Sequence, residues 1–383
     1  MQVTRERSPH SILVVGVHQK SEGYPNVLYR LETLRESGDF LVHETNFPLL
    51  KHGAFGRALT NLPLVATQSI TAHLKVLLGL FRKPIPHIVY VPYPGIFVLN
   101  LLPKRIRRAR VVIDAFISIH DTVVNDRKLL RPHKLLARLL YHVERRGYER
   151  ADLVLADTFE NAAFLRKHFH LTQEKVAAVP LSTNEKEYLP VAYQPRPGRV
   201  RILFIGTFIP LHGISSIAGA IEQLRDRQDL EFRIIGNGPD AVAFREIGTG
   251  TYPNVDWAQD WQPPTALAQE IRRADICLGI FGDTAKAQRV CPLKLYAYAG
   301  TGRAIVTAET EWVRNATARL DYSPFATVPV ADPDALANKI AQLADSPGTR
   351  SDLANASRRF YSATLSNAVA NERFTEALQR LIA

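Results

Sequence analysis

A short apolar run that ends in glycine and leads into a helical stretch opens the chain and recurs at its middle. This repeated unit narrows the fold more than any other feature. Ile12-Leu-Val-Val-Gly16 is bounded by polar residues and opens a loop from Gly16 to Asn26, before a helical pattern over Val27 to Glu36. His87 to Val91, Arg110 to Ile113 and Leu153 to Ala156 are runs of the same kind. Continuous apolar runs of this length mark parallel strands covered on both faces, and their alternation with helices predicts a doubly wound sheet. Between Tyr188 and Val200 the pattern breaks at Pro190, Pro195, Pro197 and Gly198, as an interdomain linker would. It then restarts. Arg201 to Ile205 reads as a strand, Gly206 to Gly213 as a loop and Ile214 to Leu224 as a helix. Further strands are expected over Glu231–Ile235, Asp275–Gly279 and Ala304–Thr307, with a helical tail from Pro333 to Ala383. A chain of 383 residues exceeds what one hydrophobic core organises. The expectation is therefore α/β with two doubly wound parallel-sheet domains, 1–190 and 201–360. A linker over 191–200 joins them, and a terminal helix over 361–383 is able to cross back to the first.

Charge is unevenly spread. The net charge of +11 comes from 27 Lys/Arg against 17 Asp/Glu in residues 1–195 and 21 against 20 in residues 196–383. The first half thus calls for an anionic partner: nucleic acid, a membrane surface or an acidic substrate. Nucleic acid fits worst, because the basic residues alternate with leucine rather than with aromatics suited to base stacking. Two cysteines, Cys277 and Cys291, make no disulfide framework and suit a reducing compartment. Met1 to His10 carries Arg5, Glu6 and Arg7 and has no apolar centre, so it does not read as a signal peptide. The stretch Leu59 to Phe81 contains Asn61, Gln68, His73 and Lys75, too polar for an uninterrupted span.

Ligands of open α/β sheets sit at the carboxyl ends of strands, against loops and helix N-termini. Gly206 and Gly213 bracket such a loop, where backbone N–H groups and the helix dipole suit a diphosphate; a tight strand-to-helix turn with no ligand is the alternative. Gly236-Asn237-Gly238 lets backbone approach a flat base or ribose; an ordinary turn explains it equally well. Lys286, Arg289 and Lys294 follow the Asp275 strand near the start of the next helix, either to neutralise a diphosphate leaving group or as a solvated basic loop. Gly16 and Gly23, with His18 between them, frame the loop after the first strand. They are candidates for the acceptor side, again with a plain turn as the alternative. That loop lacks the spacing of a dinucleotide fingerprint.

Three segments together resemble the donor domain of retaining family 4 GT-B glycosyltransferases, the glycosyl transferases group 1. They are Ile202-Leu-Phe-Ile-Gly-Thr-Phe-Ile-Pro-Leu-His-Gly-Ile214, Phe232-Arg-Ile-Ile-Gly-Asn-Gly-Pro239 and Pro292-Leu-Lys-Leu-Tyr-Ala-Tyr-Ala-Gly-Thr-Gly-Arg-Ala-Ile-Val306, in family order. The resemblance implies GT-B architecture, two Rossmann-like domains facing a cleft. It also implies sugar transfer from a nucleotide sugar to an acceptor hydroxyl with the anomeric configuration kept, without cofactor or metal. Donor contacts then fall to Gly206, Thr207, His212, Gly213, Gly236, Asn237, Gly238, Lys286, Arg289, Lys294 and Leu295. The family's two glutamates, eight positions apart, are replaced by Arg289 and Ala297, and its loop arginine and lysine by Thr207 and His212. The first half is more loosely similar. Asp114, His120 and Asp121, in Ile113-Asp-Ala-Phe-Ile-Ser-Ile-His-Asp-Thr122, are the catalytic candidates for contacts to the sugar or the acceptor hydroxyl, with a helix N-cap or turn role as the alternative. A lipid-linked or polysaccharide-precursor saccharide is the expected acceptor, handled by a cytoplasmic protein on the inner face of the plasma membrane. The second reading is a non-catalytic GT-B subunit that binds sugars or nucleotide sugars.

Two stretches bear on the membrane. Ile96 to Arg108 passes from apolar to densely basic, and Arg127 to Arg150 interleaves leucines with arginines and lysines. Either a basic amphipathic helix rests on anionic lipid, or its leucines enter the core and its arginines face water.

Overall fold

The apolar runs become the inner strands of two parallel six-stranded sheets. The computed structural model describes residues 9–21, 25–49, 62–81, 83–195, 198–245, 247 and 252–382. The chain divides into two units. The first takes in Met1–Thr122, Leu130–Ser182 and Ala370–Ala383, the second Val123–Leu129 and Thr183–Val369.

In the first unit the strands are β1 (His10–Gly16), β2 (Phe40–Asn46), β3 (Ile88–Val91), β4 (Arg110–Asp114), β5 (Leu153–Ala156) and β6 (Val176–Ala178). Their order is β2-β1-β3-β4-β5-β6, all parallel. Strand alternation sends neighbouring residues to opposite faces. Ile12, Val14, Ile88, Tyr90, Val112 and Leu155 join one core. Leu13, Val15, Val89, Val91, Val111, Ile113 and Val154 join the other. Helix α1 (Pro25–Glu36) covers the first face; α2 (Leu62–Leu80), α3 (Ile96–Leu101), α4 (Leu135–Arg150) and α5 (Phe159–Phe169) cover the second. Double coverage is why these strands read as unbroken apolar runs.

The second unit repeats the plan with β7 (Val200–Ile205), β8 (Leu230–Ile235), β9 (Val255–Ala258), β10 (Ile276–Leu278), β11 (Ala304–Ala308) and β12 (Ala326–Val328). They lie in the order β12-β11-β10-β7-β8-β9. Its helices are α6 (Ile214–Gln223), α7 (Pro264–Arg273), α8 (Leu293–Thr301), α9 (Glu311–Thr317), α10 (Pro333–Ala344) and α11 (Pro347–Phe360). Strand order reverses between β1 and β3 in one sheet and between β7 and β10 in the other. Loops diverge at such points and leave a crevice. Thr158, Thr310 and Asp332 cap α5, α9 and α10 through side-chain oxygens, which fixes where those helices begin.

Val191 and Tyr193, in the expected linker, are tied to the second unit: Val191 N–H donates to the Thr301 carbonyl and the Tyr193 hydroxyl to Asp275. The last helix, α12 (Asn367–Ile382), places Phe374 and Leu378 in the same core as Ile12 and Tyr90. The leucines of α4 are not its core face. Ala137, Glu144, Gly147 and Tyr148 are buried, whereas Leu135, Leu136 and Leu139 are exposed, so the core reading of that helix is corrected. No helix among the described residues is long and apolar enough to cross a membrane.

Phe374 joins α12 to the sheet. Its ring lies 5.4 Å from that of Tyr90 and 5.3 Å from the Arg30 guanidinium carbon. Phe374→Ala should destabilise the first unit by about 3–5 kcal/mol and Phe374→Leu by less. Urea titration followed by circular dichroism measures both; unchanged midpoints would mean that α12 is not anchored there.

Candidate functional site

The loop after β7 is shaped by backbone contact. A Cβ at Gly236 would overlap the Gly206 carbonyl oxygen, and one at Gly238 would overlap the Phe208 carbonyl. Gly236 also has φ +138°, a conformation L side chains rarely adopt. The loops after β7 and β8 therefore close against each other only because these positions lack side chains. Gly213, with φ 64°, turns the chain into α6.

One cation faces this loop. A Cβ on Gly206 would come within 2.7 Å of the Lys294 Nζ and 3.0 Å of the His212 ring. Lys294 is the second residue of α8, and its amine lies 3.9 Å from the centroid of the Phe204 ring. Its Nζ is buried and has no hydrogen-bond partner among the described residues. Burial pushes its pKa well below the ordinary lysine value. His212 Nδ1 closes on the Thr207 carbonyl oxygen. Burial, and then the Lys294 charge, push its imidazole well below the usual histidine range. Tyr298, one turn further along α8, accepts the Ile205 N–H at 3.0 Å and ties the helix to the end of β7. Gly206, Thr207, His212, Gly213, Gly236, Gly238 and Lys294 are thus brought together. Asn237 caps its own turn by accepting the Gly238 N–H and reaches Gln259 at 3.3 Å.

The expected trio of cations is divided. Lys286 lies 3.9 Å from Asp126, which also accepts from Thr284 at 3.3 Å. Arg289 is buried and donates to the Ala285 carbonyl at 2.7 Å. Leu295 packs into the interior beside Gly279, and Ala297 is buried in α8. A cavity of about 670 Å³ opens between Pro210, Gly213, Ser216, Asp240, Phe281 and Asp283. Its two carboxylates, Asp240 and Asp283, make it a poor place for an anion. Trp261, three residues beyond β9, is 78% exposed, an aromatic face that sequence reading passed over because it stands alone outside any apolar run.

In the first unit the candidates separate. Asp114 is buried at the end of β4, paired with Arg30 and accepting the Tyr90 hydroxyl at 2.5 Å. Although burial opposes it, the Asp114 charge raises the pKa of Arg30. Each carboxylate oxygen thus carries a hydrogen bond from within the first unit. His120 is buried 3.2 Å from His168, and its pKa is lowered by burial. The turn that carries His120 is fixed by Glu144, which accepts from the Ser118 hydroxyl and from the N–H groups of Ile119 and His120. Asp121 is buried and donates its N–H to Ser118 Oγ at 3.0 Å. On the acceptor side, a Cβ at Gly16 would sit 2.5 Å from His18 Nδ1, so these two meet. His18 Nε2 is 3.3 Å from Glu44. Burial would raise the Glu44 pKa, but His18 and Lys20 beside it hold it at about 2. Gly23 lies outside the described residues.

The depressed pKa of Lys294 has a stability consequence. The unfolded chain holds the proton more tightly than the folded one, so stability rises with pH from the folded value up to the ordinary lysine pKa of about 10.4. Lys294→Met should stabilise the unit by about 1–3 kcal/mol at neutral pH, the cost of an unsatisfied buried donor. It should also flatten the rise toward about pH 9. Urea unfolding at the two pH values tests this; a destabilised variant with the same pH slope would refute it.

Residues 199–346 match the family model of glycosyl transferases group 1. An MMP α-(1→4)-mannosyltransferase of Mycolicibacterium hassiacum is 26% identical over 146 residues, 34% of this chain and 34% of the relative, so the match spans about a third of that protein. A sucrose-phosphate synthase structure from Thermosynechococcus elongatus superposes with a TM-score of 0.69, at 16% identity over 98% of this chain and 99% of the other. Anabaena HepE in complex with UDP-glucose gives 0.64 at 14% identity, over 97% of this chain and 100% of the other. The segment that holds the glycine loops and Lys294 is therefore similar to the group 1 glycosyltransferases, within a chain that has the two-sheet α/β fold of GT-B structures.

Proposed function

We propose that the chain is a glycosyltransferase that moves a sugar from a nucleoside-diphosphate donor to an acceptor hydroxyl with retention of configuration. The observation that carries this reading is the Lys294 amine, buried without a hydrogen-bond partner beside Gly206 at the start of α8. The donor diphosphate would accept from it and from the amides of the Gly206 loop. The charge that develops on the leaving nucleotide strengthens this contact as the glycosidic bond breaks. With a protein cation in that place, no metal or cofactor is required for charge neutralisation. His212, held neutral, contributes a polar contact rather than charge. No enzymic nucleophile is assigned, and Asp114 is committed to Arg30. The relative that acts on an α-(1→4) mannosyl linkage and the structure holding UDP-glucose are consistent with such a donor.

The acceptor in this reading is a lipid-linked or polysaccharide-precursor saccharide, met at the cytoplasmic face of a membrane. The excess of positive charge in the first half supports that location. Arg289 and Ala297 at the family's glutamate positions favour a second reading, a subunit that binds nucleotide sugars without turning them over.

A thermal-shift screen against UDP-, GDP- and ADP-sugars, followed by a hydrolysis assay with any that stabilises, separates the two. Stabilisation with turnover supports transfer, stabilisation alone the binding subunit, and neither refutes both. Lys294→Met should weaken nucleoside-diphosphate binding about tenfold to a hundredfold. Because the bound anion raises the Lys294 pKa, binding should take up a proton, and affinity should fall as pH rises through the free-protein value. Calorimetry in buffers of different ionisation enthalpy detects the uptake; none in the wild type would remove Lys294 from the site.

A further inference from the structure

Helix α2 is apolar on two sides. Ala72, Val76 and Leu80 face the core, four residues apart. Ile70, Leu74, Leu78 and Phe81 form a second stripe on the other side and are 61%, 53%, 70% and 66% exposed. A helix with one apolar face in a protein core has polar residues opposite; α2 instead carries a second apolar stripe, flanked by exposed Gln68, Thr71 and Lys75. Neighbouring α3 continues the surface with Phe97 and Leu101, both exposed. Phe97 lies 6.3 Å from the His73 ring of α2, and Asn100 on α3 donates to the Val143 carbonyl of α4. Scattered exposed leucines are ordinary, but a stripe this long on one helix is not.

The edge of this surface is basic. Arg105 donates to the Phe81 carbonyl at 3.3 Å and to the Lys83 carbonyl, which fixes a guanidinium at the end of the stripe. Lys104, Arg107 and Arg108 flank it. Arg150, at the end of α4, donates to the Asn100 carbonyl at 2.8 Å. Its pKa is lowered by burial and then by Arg146 and Arg107, so the fold holds these guanidinium groups together against their repulsion. Such a cluster is relieved by an anion. An apolar strip rimmed by cations is complementary to acyl chains beneath a layer of phosphate headgroups.

We propose that the outward face of α2 with Phe97 and Leu101 of α3, collared by Lys104, Arg105, Arg107 and Arg108, docks on a membrane bearing anionic phospholipid. The proposal gives the membrane location a specific surface and rests on that location alone; it is independent of the donor chemistry. The apolar residues enter the acyl boundary while the cations stay at phosphate level.

The test is sedimentation with vesicles of phosphatidylcholine, with and without phosphatidylglycerol, at low and at physiological ionic strength. The wild type should bind the anionic vesicles and bind less as salt rises. Leu74→Ser with Leu78→Ser, both outward and exposed, should bind about a hundredfold more weakly, about tenfold for each leucine left in water. Lys104→Gln with Arg107→Gln and Arg108→Gln should lose about fivefold per cation and with it the salt dependence. Urea midpoints and the donor thermal shift should match wild type in both variants, which separates lost docking from lost fold and from a failed donor site. Equal binding by the leucine variant would overturn this surface while leaving a membrane location standing. No binding by the wild type would overturn both. A concentration-dependent dimer that the leucine variant dissociates, with vesicle binding unchanged, would assign the stripe to a second copy and overturn the proposal.

Discussion

The buried amine of Lys294 is the interaction on which the functional reading of the carboxy-terminal unit depends. Other cations taken out of water in this protein are provided for. Arg30 has the Asp114 carboxylate; Arg303 donates to the carbonyls of Ile271, Gly302 and Arg272; Arg350 donates to those of Leu343 and Ala344 and to the Tyr193 hydroxyl. The carbonyls that Arg303 and Arg350 reach lie at helix ends, where intrahelical hydrogen bonding runs out. Lys294 has the face of Phe204, a weaker attraction than a hydrogen bond to an acceptor. An unsatisfied donor costs about 1–3 kcal/mol. Arg30, Arg303 and Arg350 each have an acceptor for their charge, whereas the whole head group of Lys294 has none among the described residues, and a ligand anion would supply one.

The same topology is used in opposite ways in the two units. At the strand-order reversal of the first sheet, the loop after β1 is closed by His18 against Glu44, with Lys20 and Arg35 also on that carboxylate. The end of β4 is closed by Asp114 on Arg30 and Tyr90. Charges there cancel inside the protein. In the second sheet the loops after β7 and β8 are closed by backbone contact and by neutral side chains, His212 on the Thr207 carbonyl and Trp257 on the Gly236 carbonyl, and the adjacent Lys294 has no carboxylate partner. Fold therefore does not distinguish the two crevices; electrostatics does.

Much of the fold was legible in the sequence because buried parallel strands cannot hide their composition. β1, β3, β4 and β5, and β7, β8, β10 and β11, are all anticipated by apolar runs. The four strands not anticipated, β2, β6, β9 and β12, are the four sheet edges. Phe-Leu-Val-His-Glu-Thr-Asn in β2 is mostly solvent-facing, and β6 and β12 have three residues each. An edge strand is covered less and needs less apolar sequence, so its signal fades. The site was partly legible for the same kind of reason. Glycines at backbone contacts stand out in sequence, hence Gly206, Gly213, Gly236 and Gly238. Which of Lys286, Arg289 and Lys294 meets the loop depends on helix phase and on Asp126, more than 150 residues away. The pairing of Asp114 with Arg30 spans 84 residues. Long-range pairing of this kind leaves no local pattern. The α4 leucines misled in the other direction: an amphipathic pattern states which residues share a face, and only packing states which face is inward.

Arg289 and Ala297 weigh less against catalysis than their positions suggest. Ala297 is buried within α8, between Lys294 and Tyr298, and Arg289 is buried with its guanidinium on the Ala285 carbonyl. Both side chains are packed in the interior of the second unit, and the helix that carries Ala297 also supplies the lysine to Gly206 and the hydroxyl to Ile205. A cation buried beside the β7 loop gains most when negative charge grows next to it, as it does on a departing nucleotide, so the place of Lys294 suits the proposed transfer.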